Sequence, residues 1–218
     1  MKKLFFTILI LISYGFSSQS NEENMWSFSL GQFDVNDTVD SLELRFEYLY
    51  GNDFLKYAIS GFQETFYDSF PIFIPNVNGF RRIQTRNFVP VNKSWSWNRR
   101  DVSLRIPAGS DSSKRIEHRV ASADANPYLV LACILSGLHY GLTKKQMPTN
   151  QISFDNNEGA DKEADPEMPK TLTQALERFK NSKILRNYFG QEYIDLYIAV
   201  KQVAVDVSPF SIHIAPVS

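Results

Sequence analysis

Val102-Ser103-Leu104-Arg105-Ile106-Pro107 and, after a polar turn from Ala108 to Ser113, Arg115-Ile116-Glu117-His118-Arg119-Val120 are the stretches that decide the fold. Both alternate apolar and polar residues with the period of two expected of half-buried strands, so the pair reads as a hairpin. Ile116, His118 and Val120 share one face of the second strand; Arg115, Glu117 and Arg119 share the other. On the first strand Ser103 and Arg105 lie opposite Val102, Leu104 and Ile106. With the polar faces aligned, several guanidinium groups surround one carboxylate. Arg100 lies just upstream, and Arg81 and Arg82 lie on the preceding loop. Such a cluster repels itself unless an anion fills it, and arginine's rigid fork suits carboxylates and phosphates. Glu117 could pair with an arginine or hold a hard metal ion through oxygen. A solvated sheet face with ordinary Arg–Glu pairs fits the same spacing. His118 falls on the apolar face and reads as a packed histidine, and the three histidines show no metal-ligand spacing.

Outward from this hairpin the signals are mostly helical. Asn126 is a good N-cap and Pro127 suits the first helical position. The helix that follows is apolar nearly all round and should be buried, with Cys133 as a small core residue. Thr171 caps a helix with Leu172, Ala175, Leu176 and Phe179 on one face; Ser182 restarts it and Gly190 breaks it. Ile194, Tyr197 and Ile198 mark a final helix. Upstream, Phe54, Tyr57, Ala58 and Phe62 have helical spacing. Ile72-Phe73-Ile74, ended by Pro75, reads as a short strand, and Asn76 to Phe80 as a turn-rich loop. Ser153 to Lys170 is acidic and reads as a surface loop. The fold class is therefore α+β, with antiparallel strands backed by helices.

The N-terminus has a different character. Met1-Lys2-Lys3, the apolar run Leu4 to Phe16, and the small residues Ser18 and Ser20 follow the order of a secretory signal peptide over residues 1–20. From 21 to 51 the chain reads as β-structure, because Leu42, Leu44, Phe46, Tyr48 and Tyr50 alternate with Glu43, Arg45 and Glu47. This start resembles that of a small outer-membrane β-barrel protein; any antiparallel hairpin with one wet face fits it equally. The charge is nearly balanced, at 23 basic against 24 acidic residues, so no basic excess points to a nucleic-acid partner. A single cysteine excludes an internal disulfide.

Three motifs in order carry a family resemblance. Asn76-Val77-Asn78-Gly79-Phe80-Arg81-Arg82 resembles the Asn-x-Asn-Ser-Tyr-Lys/Arg-Arg loop of glutamine synthetases. Arg99 to Pro107 resembles their arginine–strand–Arg-Ile-Pro motif. Arg115-Ile116-Glu117-His118-Arg119, followed by Asp124-Ala125-Asn126-Pro127-Tyr128, resembles their Arg-Ile-Glu-x-Arg…Ala-Asn-Pro-Tyr signature. The resemblance covers residues 52–201 and implies the C-terminal part of the catalytic domain of an ATP-dependent ligase. The Arg-Ile-Glu-His-Arg-Val form is similar to the branch that joins glutamate to amines such as putrescine.

The resemblance implies phosphorylation of the glutamate γ-carboxylate by ATP with Mg2+ or Mn2+, then displacement of phosphate by ammonia or a polyamine. It implies that Arg82 binds glutamate, Arg100 and Arg105 meet the phosphates, and Arg115 lies near the nucleotide. Glu117 would bind a divalent metal, and Arg119 would sit beside the γ-carboxylate. The family is cytoplasmic and homo-oligomeric with shared sites, which conflicts with the leader-like start. Gly79-Phe80 replaces the usual Ser-Tyr. The family's other metal ligands and the domain that completes its site have no match here; Glu43 and Glu47 do not fit that context. Residues 202–218 read as a divergent tail. The expectation is a ligase fragment inactive alone. A non-catalytic nucleotide- or anion-binding module and an exported outer-membrane-associated protein are the rival readings.

Overall fold

The computed structural model describes residues 27–30, 42–47, 53–85, 89–110, 115–153 and 163–207. The leader-like residues 1–20 and His213 lie outside them. Strands β1 (Ser27–Leu30), β2 (Leu42–Glu47), β3 (Trp95–Trp97), β4 (Leu104–Ile106) and β5 (Arg115–His118) form a five-stranded sheet ordered β1-β2-β5-β4-β3. The β1–β2, β2–β5 and β5–β4 pairs are antiparallel, as expected of the central hairpin. The β3–β4 pair is parallel, so the sheet is mixed. The two strands have three residues each. The return from Trp97 to Leu104 is therefore short enough for residues 98–103 to span without a helical crossover.

The apolar strand face carries the core. Leu104, Ile106 and Ile116 are buried, and the His118 ring lies among Phe62, Phe66 and Phe73. Phe62 belongs to helix α1 (Asp53–Thr65), which opens on an acidic residue suited to the helix dipole. Its buried positions Leu55, Ala58, Ile59 and Phe62 follow the helical repeat. Burying each large one contributes about 1.5–3 kcal/mol.

α1 packs on helix α3 (Pro127–Lys144), and the contact is closed by glycine. A Cβ added to Gly61 would lie 2.0 Å from the Gly137 carbonyl oxygen and 2.5 Å from the Gly141 nitrogen. The Asn126 side chain caps α3 by accepting from the N–H groups of Tyr128 and Leu129 at 3.0 and 3.3 Å. α3 is less enclosed than its composition suggests: Ile134 and Leu138 are buried, Leu131 and Leu135 are only partly covered, and Tyr128 is exposed. Cys133 is buried, and burial pushes its thiol up to about 12.

In place of the strand expected at Ile72-Phe73-Ile74, Ile72 and Phe73 end helix α2 (Phe70–Phe73) and Ile74 is its C-cap. Pro71 sits in its first turn, where a missing N–H costs nothing, and the Ile74 N–H closes the turn on the Phe70 carbonyl at 2.7 Å. The loop that follows winds into a 3-10 turn, Val77–Arg82. Helices α4 (Leu172–Asn181), α5 (Lys183–Phe189) and α6 (Gln191–Val207) complete the chain. Thr171 and Ser182 cap α4 and α5 through their hydroxyls, and Gly190, at φ 82°, ends α5. α6 runs through Val203 to Val207, past the point where the sequence suggested a tail. Among the described residues no helix is long and apolar enough to cross a membrane.

Candidate functional site

The parallel pairing of β3 on β4 has to be fastened from outside the sheet. One buried side chain of α1 does much of this. The Gln63 amide nitrogen donates to the carbonyls of Lys93 and Thr149, both at 2.7 Å, and its oxygen accepts from Thr149 N–H at 2.9 Å. The segment so held runs beside β3: Trp95 N–H donates to Asn150 O, Ile152 N–H donates to Trp95 O, and the Ser96 hydroxyl donates to Ile152 O at 2.6 Å. The return from β3 to β4 is pinned as well. Arg99 closes a fork on Asp101 at 2.9 and 2.6 Å and also donates to Ser153 O. Asn98 has a left-handed backbone, φ 56°, and its N–H donates to Ile106 O at 2.7 Å.

On the polar face, Ser96, Arg105 and Glu117 stand in register on β3, β4 and β5, and the backbone of Glu43 on β2 pairs with that of Glu117. Nη1 of Arg105 donates to both Glu117 carboxylate oxygens, at 3.0 and 2.9 Å. Its Nη2 donates to Asn98 Oδ1 at 2.9 Å. Its Nε is buried with no hydrogen-bond partner. Arg115 Nη2 lies 3.5 Å from Glu117 Oε1, so one carboxylate sits between two guanidinium groups. Arg119 continues the ladder, its N–H donating to Ser103 O at 3.0 Å.

Arg82 stands at the exit of β5, exposed, with Nη2 donating to Val120 O at 3.0 Å. The turn that carries it is clipped to the segment after β5. Asn76 Nδ2 and the Ser122 hydroxyl both donate to the Asp124 carboxylate, and Ser122 also donates to Phe73 O at 3.1 Å. Burial pushes the Asp124 carboxyl up, but those two hydrogen bonds and the nearby Arg82 charge hold it below the usual carboxylate range. Arg100 is exposed on the β3–β4 return and makes no hydrogen bond or ion pair among the described residues.

The structure thus brings Arg105, Arg115 and Glu117 into direct contact, sets Arg119 next along the ladder and Arg82 at its end, and leaves Arg100 apart in solvent. Sequence alone points to neither Asn98 nor Gln63, and it offers Asp124 only as the start of the Asp124-Ala125-Asn126-Pro127-Tyr128 motif. An asparagine two residues before the Arg100 motif, between aromatic and basic neighbours, was the signal for a left-handed turn. Gln63 gave none, because its partners are remote in sequence.

As a metal centre the site is poor. A hard divalent ion seeks several oxygen ligands, and both Glu117 oxygens already accept from Arg105. Among the described residues no group of three or more His, Cys, Asp or Glu could hold an ion. The donors suit an anion better: Arg82 and Arg100 present exposed guanidinium groups, and Arg105 keeps one Nε–H without an acceptor.

The sequence model of the glutamine synthetase catalytic domain matches residues 46–217, well over half of the chain. The chain belongs to the glutamine synthetase catalytic-domain family. Among its curated relatives, gamma-glutamylputrescine synthetase of Escherichia coli (strain K12) is 39% identical over 147 residues, covering 67% of this chain and 30% of the relative. Glutamate–isopropylamine ligase of a Pseudomonas species is 34% identical over 135 residues, covering 60% and 28%. Glutamine synthetase of Thermococcus kodakarensis is 35% identical over 123 residues, covering 55% and 28%. The chain therefore spans about 30% of the length of such relatives.

Proposed function

We propose that the sheet face around Glu117 is the phosphate- and glutamate-facing part of an ATP-dependent carbon–nitrogen ligase, and that this chain alone binds nucleotide without completing the reaction. The supporting observation is the row in which Arg105 and Arg115 flank one carboxylate, with Arg119 next along the ladder, Arg82 at its end and Arg100 exposed on the β3–β4 return. In this reading Arg82 takes the carboxylate of glutamate, Arg100 and Arg105 meet the phosphates, Arg115 lies beside the nucleotide, and Arg119 faces the γ-carboxylate. Phosphoryl transfer is catalysed mainly by positioning and charge neutralisation, which arginines supply in part. Glu117 is the residue that would face Mg2+ or Mn2+, but one carboxylate committed to two arginines does not make a divalent site. No catalytic step is therefore assigned through metal. The names of two relatives, ligases of putrescine and isopropylamine, favour an amine over ammonia as acceptor.

Two measurements on the purified chain test this: ATP titration, and phosphate release with glutamate plus ammonia or putrescine. We expect saturable ATP binding, weakened in Arg100→Gln and Arg105→Gln, and no phosphate release. Absence of ATP binding would end the reading. Turnover lost in Glu117→Gln would show that the divalent site is complete and would overturn the incomplete-site part. ATP binding that never responds to glutamate favours the non-catalytic anion-binding module. Residues 1–20, read as a leader, direct the chain to the periplasm or outer membrane, whereas the ligase reading puts it in the cytoplasm; cell fractionation decides between them.

A further inference from the structure

Asn98 occupies a position with two separable properties. Its backbone is left-handed at φ 56°, a conformation asparagine tolerates better than most side chains and glycine better still. Its side-chain oxygen accepts from Arg105 Nη2 at 2.9 Å and lies 3.4 Å from the Ala108 N–H. The first property is enough to explain an asparagine in a turn. The second bears on the site, because Arg105 has only one other partner. Its Nη1 already takes both oxygens of Glu117, and its Nε has no acceptor. Without Asn98 nothing would stop the guanidinium turning its full fork onto Glu117, the bidentate arrangement that arginine and carboxylate prefer. Asn98 splits that fork. It also does so as a neutral acceptor, so it holds the guanidinium without cancelling more of its charge. An aspartate there would hold Arg105 equally well and surround it with a second carboxylate.

We propose that Asn98 is a positioning residue for Arg105, holding one arm of the guanidinium away from Glu117 so that it can meet a nucleotide phosphate. The proposal rests on the nucleotide-binding reading of this face. It also explains how an arginine that is salt-bridged in the free chain stays available to an anion.

The test uses the full chain, Asn98→Gly and Asn98→Asp, with ATP as the probe. Glycine keeps the left-handed turn and removes the acceptor; aspartate keeps the acceptor and adds charge. Three readouts are needed: thermal midpoint, ATP affinity, and the nitrogen-15 NMR signals of the Arg105 guanidinium, assigned by their loss in Arg105→Lys. We expect Asn98→Gly to melt with the parent, to lose about tenfold in ATP affinity, the scale of one hydrogen bond to a charged group, and to show freer rotation of the Arg105 arms. Asn98→Asp should keep the restricted guanidinium signals and still bind ATP more weakly. Combining Asn98→Gly with Arg105→Lys should cost nothing beyond Arg105→Lys alone. Parent-like ATP affinity in Asn98→Gly would overturn the proposal, leaving Asn98 a turn residue only. If the parent itself fails to bind ATP, the proposed function falls, and unchanged Arg105 signals in Asn98→Gly would still refute the positioning role.

Discussion

Lowering the pH should weaken this fold through one buried imidazole. His118 is 2% exposed, ringed by Phe62, Phe66 and Phe73, and its Nδ1 has no hydrogen-bond partner. Burial pushes its pKa down from 6.5 to about 4. In the unfolded chain the ring takes up a proton once pH drops below its ordinary value; in the folded chain it resists until about 4. Stability is therefore fully present above the unfolded value, lost as pH falls between the two, and level again below the lower one. The whole gap corresponds to about 3 kcal/mol, of which about 2 kcal/mol should be gone between roughly pH 7 and pH 5. Urea unfolding of the parent and of His118→Leu at those two pH values isolates the effect, since each protein is compared with itself. Other titrating groups, such as Asp68 with its carboxyl raised first by burial and Asp124 with its carboxyl lowered, are common to both proteins and cancel. The parent should lose about 2 kcal/mol more than the variant on acidification. Equal losses would refute the argument and would mean that the ring finds a proton partner or water in solution.

Gln63→Leu should destabilise the chain by about 2–4 kcal/mol in urea unfolding, because it strands the carbonyls of Lys93 and Thr149 and the Thr149 N–H together. A change under about 0.5 kcal/mol would mean that solvent replaces those bonds. Gly61→Ala should be far worse than Gly190→Ala. The first drives a methyl into the backbone of α3, whereas the second meets open space and costs only the backbone strain of a region that glycine alone adopts readily, about 1–3 kcal/mol. Comparing their thermal midpoints checks the order, and parity would show that α1 and α3 can separate cheaply.

The strand parity from Val102 to Val120 could be read directly, since alternation is local and the structure buries Leu104, Ile106, Ile116 and His118 together. The caps at Asn126, Thr171 and Ser182 were legible for the same reason: each acts within four residues of itself. Ile72 to Ile74 misled because three apolar β-formers say strand, while Pro71 in a first helical turn says helix, and no neighbouring strand was available to settle it. β3 went unseen because Trp-Ser-Trp is too short for its period to register, and its pairing depends on residues 149–152. In the candidate site, the charged residues were visible by type and spacing. The neutral ones that aim them, Asn98 foremost, were not, because an amide becomes informative only when its partner is known.

Gln63 has a consequence for how the molecule comes together. Its two carbonyl acceptors lie 30 and 86 residues further along the chain. The strand beside Arg105, and the return that carries Asn98 and Arg100, are therefore held by a clasp whose far half, at Thr149, cannot form until the chain has been made well past the hairpin. Closing so long a loop costs entropy before it yields any stabilisation. The arginine face is thus a late-forming product of the whole domain rather than a property of its signature motifs. A peptide carrying only residues 99–120 would contain most of the diagnostic residues and lack the clasp that sets them in order.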